Sequence, residues 1–171
     1  MAIWICGVPR SGKTTYCKSF AKENNVSVIS TEALRNGFQK MDKENFAEWG
    51  RSTSEKRKKD FPVFLKEFVK WNEFFSEGQC IVDCALVELK TVYEFCEEGD
   101  QIICFGFGGN SLEDILSFIR QREGQNDYTK NFSDEKLIKL WGDVAEIDKQ
   151  NFQFCKENKL KYMDCMKENS R

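Results

Sequence analysis

The chain has 171 residues, 40% hydrophobic and 13% aromatic, with a formal net charge of −2. That length and composition fit one folded domain with a sizeable core. The slightly negative charge argues against a surface that binds nucleic acid non-specifically.

The first predicted element is a strand, Ile3-Trp4-Ile5-Cys6. It runs directly into Gly7-Val8-Pro9-Arg10-Ser11-Gly12-Lys13-Thr14, which fits G-x-x-x-x-G-K-[ST], the phosphate-binding loop. Tyr16, Cys17, Phe20 and Ala21 then recur at helical spacing. Strand, glycine loop and helix together are the context this motif requires. Gly7 and Gly12 permit backbone conformations closed to other residues. The loop amides can then curl around phosphate oxygens, and the helix N-terminus adds unpaired N–H groups and a positive dipole end. In this motif Lys13 reaches the β- and γ-phosphates and the Thr14 hydroxyl sits on Mg²⁺. Pro9 has no N–H and must occupy a position that does not donate. The phosphate-binding segment extends from Gly7 to Thr15.

Val26 to Ser30 is a second predicted strand, opening into a helix start at Thr31. Glu32 and Arg35 are three apart, so they share a helix face. The C-terminal end of a strand is where open α/β sheets gather ligand-binding groups. A surface ion pair favoured by the helix dipole fits the same spacing. From Gly37 to Asp60 the chain turns polar, with Phe46 and Trp49 its main apolar points and a basic run at Lys56-Arg57-Lys58-Lys59. The run reads as a solvated helix face or as a patch attracting an anionic acceptor. Phe61, Phe64, Leu65, Phe68 and Phe75 follow helical spacing, widened by Trp71 and Phe74, and read mainly as core.

Gln79 to Asp83 is a third strand, apolar and ending in an acid. This is the pattern of the second acidic motif of P-loop proteins, whose carboxylate organises Mg²⁺. A helix with Leu86, Leu89, Tyr93 and Cys96 on one face is expected before Gly99. A fourth strand covers Gln101 to Phe107. The following Gly108-Gly109-Asn110-Ser111 is no second phosphate loop, because no Lys-Ser/Thr follows; Asn110 or Ser111 is a helix cap instead. Leu112, Ile115, Leu116 and Ile119 form the next stripe. Arg120 to Phe132 is polar and holds the cations Arg120, Arg122 and Lys130. Ser133 caps a helix running to about Asn158 with Leu137, Trp141, Val144, Ile147 and Cys155. Lys161 to Asp164 makes a last short strand. The eight cysteines lie mostly in apolar elements with no C-x-x-C, and there is no histidine. They read as buried thiols in a reducing compartment, not as a zinc site or disulfide framework. Lack of histidine also removes imidazole as a catalytic base. No run of 18 apolar residues or signal peptide is read, so a cytoplasmic protein with no membrane partner is expected.

Alternating strands and helices imply an α/β fold with a parallel sheet covered on both faces. At this point the chain resembles the small P-loop kinases: adenylate, shikimate and gluconate kinases and the 5′-kinase part of polynucleotide kinases. The loop Gly7 to Thr15, proline included, carries the resemblance. It implies a single three-layer α/β/α domain over 1–171 with a five-stranded parallel sheet of order 2-3-1-4-5. It also implies an acceptor-binding insertion at about 37–77 and a lid at about 120–132. In polynucleotide-kinase-like and zeta-toxin-like members an acid after the second strand activates the acceptor hydroxyl, and an arginine three residues later binds acceptor or phosphate. Glu32 and Arg35 match that spacing, with Glu where those relatives usually have Asp. Arg120 and Arg122 fall in the lid, whose arginines cover the transferring phosphate. Arg10 stands where adenylate kinases commonly have glycine. The resemblance thus implies an ATP- and Mg²⁺-dependent phosphotransferase acting on a small molecule or nucleotide, with Thr14 and Asp83 organising the metal. A nucleotide-binding switch with weak hydrolysis and a polynucleotide 5′-hydroxyl kinase are the other readings. The net charge counts against nucleic acid, and no Asn-Lys-x-Asp motif points to guanine.

Overall fold

Ala2–Gly7 forms β1, and its first five residues are all buried. A strand with no polar alternation is covered on both faces, as strands of a parallel sheet are. In this computed structural model, described over residues 1–50, 54–76, 78–121, 129 and 132–168, the chain alternates accordingly. After β1 come α1 (Lys13–Asn24), β2 (Ser27–Ser30), α2 (Thr31–Met41) and α3 (Lys43–Phe46). A 3₁₀ turn (Ala47–Gly50) leads to α4 (Glu55–Ser76), β3 (Cys80–Asp83) and α5 (Leu89–Phe95). Then follow β4 (Gln101–Gly106), α6 (Leu112–Arg120), α7 (Asp134–Glu157), β5 (Lys161–Asp164) and α8 (Cys165–Glu168). The five strands make a parallel sheet of order β2-β3-β1-β4-β5 flanked by helices, the order expected from the resemblance.

The chain forms two compact units. The first comprises Met1–Gly7 and Lys13–Ile103. In it β3 lies between β1 and β2, with Ile3 and Val28 both in register with Ile81. Phe61, Leu65 and Val69 of α4 and Leu89 and Val92 of α5 are buried with these strands. Asp100 accepts from the Ala2 amide at 2.8 Å and the Trp4 indole at 3.0 Å, fixing the start of β1. The second unit comprises Val8–Gly12 and Cys104–Arg171. Its core is Phe107, Ile115, Ile119, Leu137, Trp141 and Val144 with Val8 and Cys165. Ser111 and Ser133 cap α6 and α7 by accepting from the Asp114 and Lys136 amides, as expected from the sequence.

Three helical stripes differ from expectation. In α4 the buried line is Phe61, Leu65 and Val69, while Phe68, Trp71, Phe74 and Phe75 face solvent. The helix α5 starts only at Leu89 and buries Leu89 and Val92, leaving Tyr93 exposed. The cause lies in residues 84–88, whose backbone is claimed elsewhere: Ala85 N donates to Thr31 Oγ1, and Leu86 O accepts from Arg57. In α7 Ile147 is half exposed and the neighbouring Asp148 takes the inward position.

Among the described residues no disulfide forms; seven of the eight cysteines are buried and Cys96 is half-buried. Burial pushes the Cys17 and Cys96 thiols up to about 12 and Cys80 to about 11. The thiolate is the reactive form, so these three are expected to resist iodoacetamide in the native protein. Their labelling should run roughly 10²–10³-fold slower than that of an ordinary thiol. Mass spectrometry of native and urea-unfolded samples checks this; fast native labelling at Cys17 would contradict its burial.

Candidate phosphate-binding site

Between Gly7 and Lys13 the backbone must turn from strand to helix, and it does so through left-handed conformations. Gly7 has φ 122° and Gly12 φ 90°, values that demand glycine. Arg10 also lies in this region, at φ 63°. A side chain there costs roughly 1–2 kcal/mol, a strain that glycine would not carry. The buried Ser11 hydroxyl donates to the Val8 carbonyl at 2.8 Å and staples the loop across its middle. The first turn of α1 carries no acidic residue, whereas α2, α6 and α7 each carry at least one. The positive end of α1 is therefore not offset by its own helix and suits an external anion.

Lys13 is only 7% exposed. Its cation and the Asp83 carboxylate act on the nearby Cys17 thiol in opposite directions. Thr14 Oγ1 donates to Asp83 Oδ2 at 2.6 Å. The other oxygen, Asp83 Oδ1, is buried and has no hydrogen-bond partner among the described residues. Burying a carboxylate oxygen unpaired is costly. A hydroxyl and a carboxylate form the hard oxygen donor set that suits Mg²⁺. Among the described residues no cluster of three or more potential ligand side chains exists.

The fully buried Thr31 sets the geometry beside Asp83. Its hydroxyl donates to the Asp83 carbonyl at 3.0 Å and accepts from Ala85 N at 3.0 Å. Ile5 and Ser30 are both in register with Asp83, so β3 and β2 end level and β1 runs two residues further, to Gly7. Glu32 follows immediately, with its side chain 60% exposed and its Oε1 3.5 Å from Arg35 Nη2. Arg35 also donates to Asn36 Oδ1 at 3.2 and 2.9 Å. Sequence reading did not single out Thr31, or Arg57 from within its basic run. Lys56, Lys58 and Lys59 are exposed, but Arg57 is half-buried and donates to the Leu86 carbonyl at 3.1 Å. Burial and the nearby Arg35 charge lower its pKa. The available signal was spacing: Arg57 stands four and eight residues before the buried Phe61 and Leu65.

Arg120 pairs with Asp134 Oδ1 at 2.8 Å; Arg122 and most of the expected lid lie outside the described residues. The amides of the glycine loop after β4 are already committed. Phe107 N donates to both Asp148 oxygens at 3.1 Å, Gly109 N to Asp148 Oδ2 at 3.2 Å and Gly108 N to Tyr162 OH at 3.0 Å. An internal acid fills this loop, in keeping with its rejection as a phosphate site.

The fold is that of the P-loop kinases. A gluconokinase from Sinorhizobium meliloti superposes with a TM-score of 0.52 at 16% identity, over 84% of this chain and 73% of that one. A deoxyadenosine kinase from M. mycoides, with products bound, aligns over 95% of this chain and 88% of that one at 14% identity and a TM-score of 0.48. The likeness in fold rests on the first. No protein-family model and no curated protein matches the chain. Among the described residues no helix is long and apolar enough to cross a membrane.

Proposed function

We propose that the chain is a phosphotransferase that moves the γ-phosphate of Mg-ATP to a hydroxyl or phosphate of a small molecule or nucleotide. The observation that carries this reading is the Thr14–Asp83 contact at the start of the helix opened by the buried Lys13, with a buried Asp83 oxygen that has no hydrogen-bond partner among the described residues. The loop amides from Gly7 to Thr15 and Lys13 hold the β- and γ-phosphates. Thr14 and Asp83 hold Mg²⁺, which when bound neutralises charge on the phosphate oxygens. Glu32, anchored next to Thr31, orients the acceptor hydroxyl or takes its proton. Arg35 and Arg57 provide neighbouring positive charge for an anionic acceptor, and Arg57 is fixed by its bond to Leu86. Arg120 and Arg122 stabilise charge on the transferring group.

The test is transfer of labelled γ-phosphate from Mg-ATP to a panel of acceptors. It holds nucleoside monophosphates, nucleosides, sugars, hydroxy acids and a 5′-hydroxyl oligonucleotide. Label on one class names the acceptor. Label only in free phosphate, or nowhere, favours a nucleotide-binding switch. Glu32→Gln is expected to leave ATP binding nearly intact and to slow transfer by about 10²–10⁴-fold. Unchanged transfer in that variant removes Glu32 from the chemistry.

A further inference from the structure

The helix α4 is apolar on two sides, and only one is covered. Phe61, Leu65 and Val69 are buried. Phe64, Phe68, Trp71 and Phe75 follow a 4-3-4 spacing, the pattern of a helix seam that packs on another helix. Yet Phe68 is 37%, Trp71 57%, Phe74 71% and Phe75 75% exposed. The last three rings rest on one another, with centroids 5.9, 5.8 and 5.2 Å apart, and form a convex aromatic knob.

Next to the knob is its concave counterpart. A cavity of about 480 Å³ opens between β2, α2 and α4, lined chiefly by Val28, Ala33, Leu34, Phe38, Met41 and Phe68. The strand β2 is the last in the sheet among the described residues, so this cavity lies at the sheet edge. Phe68 belongs to the cavity wall and to the aromatic seam alike, and the knob begins one helical turn further on. Exposed Val28 and Met41 continue the apolar surface around the cavity mouth.

We propose that this face binds a second copy of the chain, the Trp71–Phe74–Phe75 knob of each copy filling the cavity of the other. Knob and cavity on one surface of one unit are self-complementary, which a two-fold interface requires. At about 150–250 Å² per aromatic side chain, the exposed rings of Phe68, Trp71, Phe74 and Phe75 offer roughly 500 Å². With the cavity lip this approaches the about 800 Å² per partner of a standard interface.

Sedimentation velocity across a concentration series tests this, with melting curves to show that each variant folds. The wild-type chain is expected to dimerise. Trp71→Glu with Phe75→Glu removes the knob, and Ala33→Trp fills the cavity. Each is expected to raise the dimer dissociation constant by at least roughly 30-fold. Mixing the two variants is expected to restore association, because that pair keeps one intact knob and one intact cavity. A wild-type monomer at all concentrations overturns the proposal, including one whose cavity instead takes up an apolar dye or another protein. So does a dimer indifferent to both variants, or variants that mixing fails to rescue.

Discussion

Lys13→Ala is expected to lower phosphoryl transfer by at least roughly 10²–10³-fold while the protein stays folded. Lys13 opens α1, with its side chain buried and its charge acting on the Cys17 thiol. A cation held in a low-dielectric site acts on phosphate far more strongly than one in water. Its effect should grow as charge spreads over the transferring group, so the loss is expected in kcat and not only in nucleotide affinity. Lys13→Met keeps most of the buried stem and separates packing from charge. Both variants should melt close to the wild type and both should lose turnover. Turnover near wild type in Lys13→Met would remove the charge, and with it the phosphate-site reading, from the mechanism.

The glycine loop between β1 and α1 was legible because its backbone requirements are local. Gly7 and Gly12 are required by backbone angles, and strand and helix follow within a few residues. The place of Asp83 at the end of β3 was legible for a similar reason, an acid ending a short apolar run. Thr31 was not, because its value lies in bonds to residues more than 50 positions away. The orientation of α4 was ambiguous because two of its faces are apolar, and only the sheet decides which is buried. In α7 a shift of one residue, about 100° around the helix, exchanges Ile147 for Asp148. Periodicity favours the apolar residue, and nothing local announces that Gly109, Phe107 and Tyr162 supply donors for the acid.

That buried acid sets the second large effect. Asp148→Ala is expected to destabilise the fold by about 3–5 kcal/mol. Asp148 is fully buried and accepts from Phe107 N, Gly109 N and Tyr162 OH, the last at 2.7 Å. Each donor left unpaired in the interior costs about 1–3 kcal/mol. The loop has little room to readjust, since a side chain at Gly106 would collide with Asp148 and Tyr162. Burial raises the Asp148 pKa, outweighing the Tyr162, Gly109 and Phe107 hydrogen bonds that lower it, while the Asp164 charge adds to the rise. The folded carboxyl therefore binds its proton more tightly than the unfolded one, whose ordinary value is 3.8. Between those two values the native state holds the extra proton, so this group's contribution to stability falls as pH rises through the window. Acidification toward the ordinary carboxyl value should accordingly favour the wild type over Asp148→Asn, which cannot titrate. Urea unfolding of the wild type, Asp148→Ala and Asp148→Asn over a pH series measures both effects. Parallel pH curves for wild type and Asp148→Asn would contradict the raised pKa, and an unshifted midpoint in Asp148→Ala would show that the three donors find other partners.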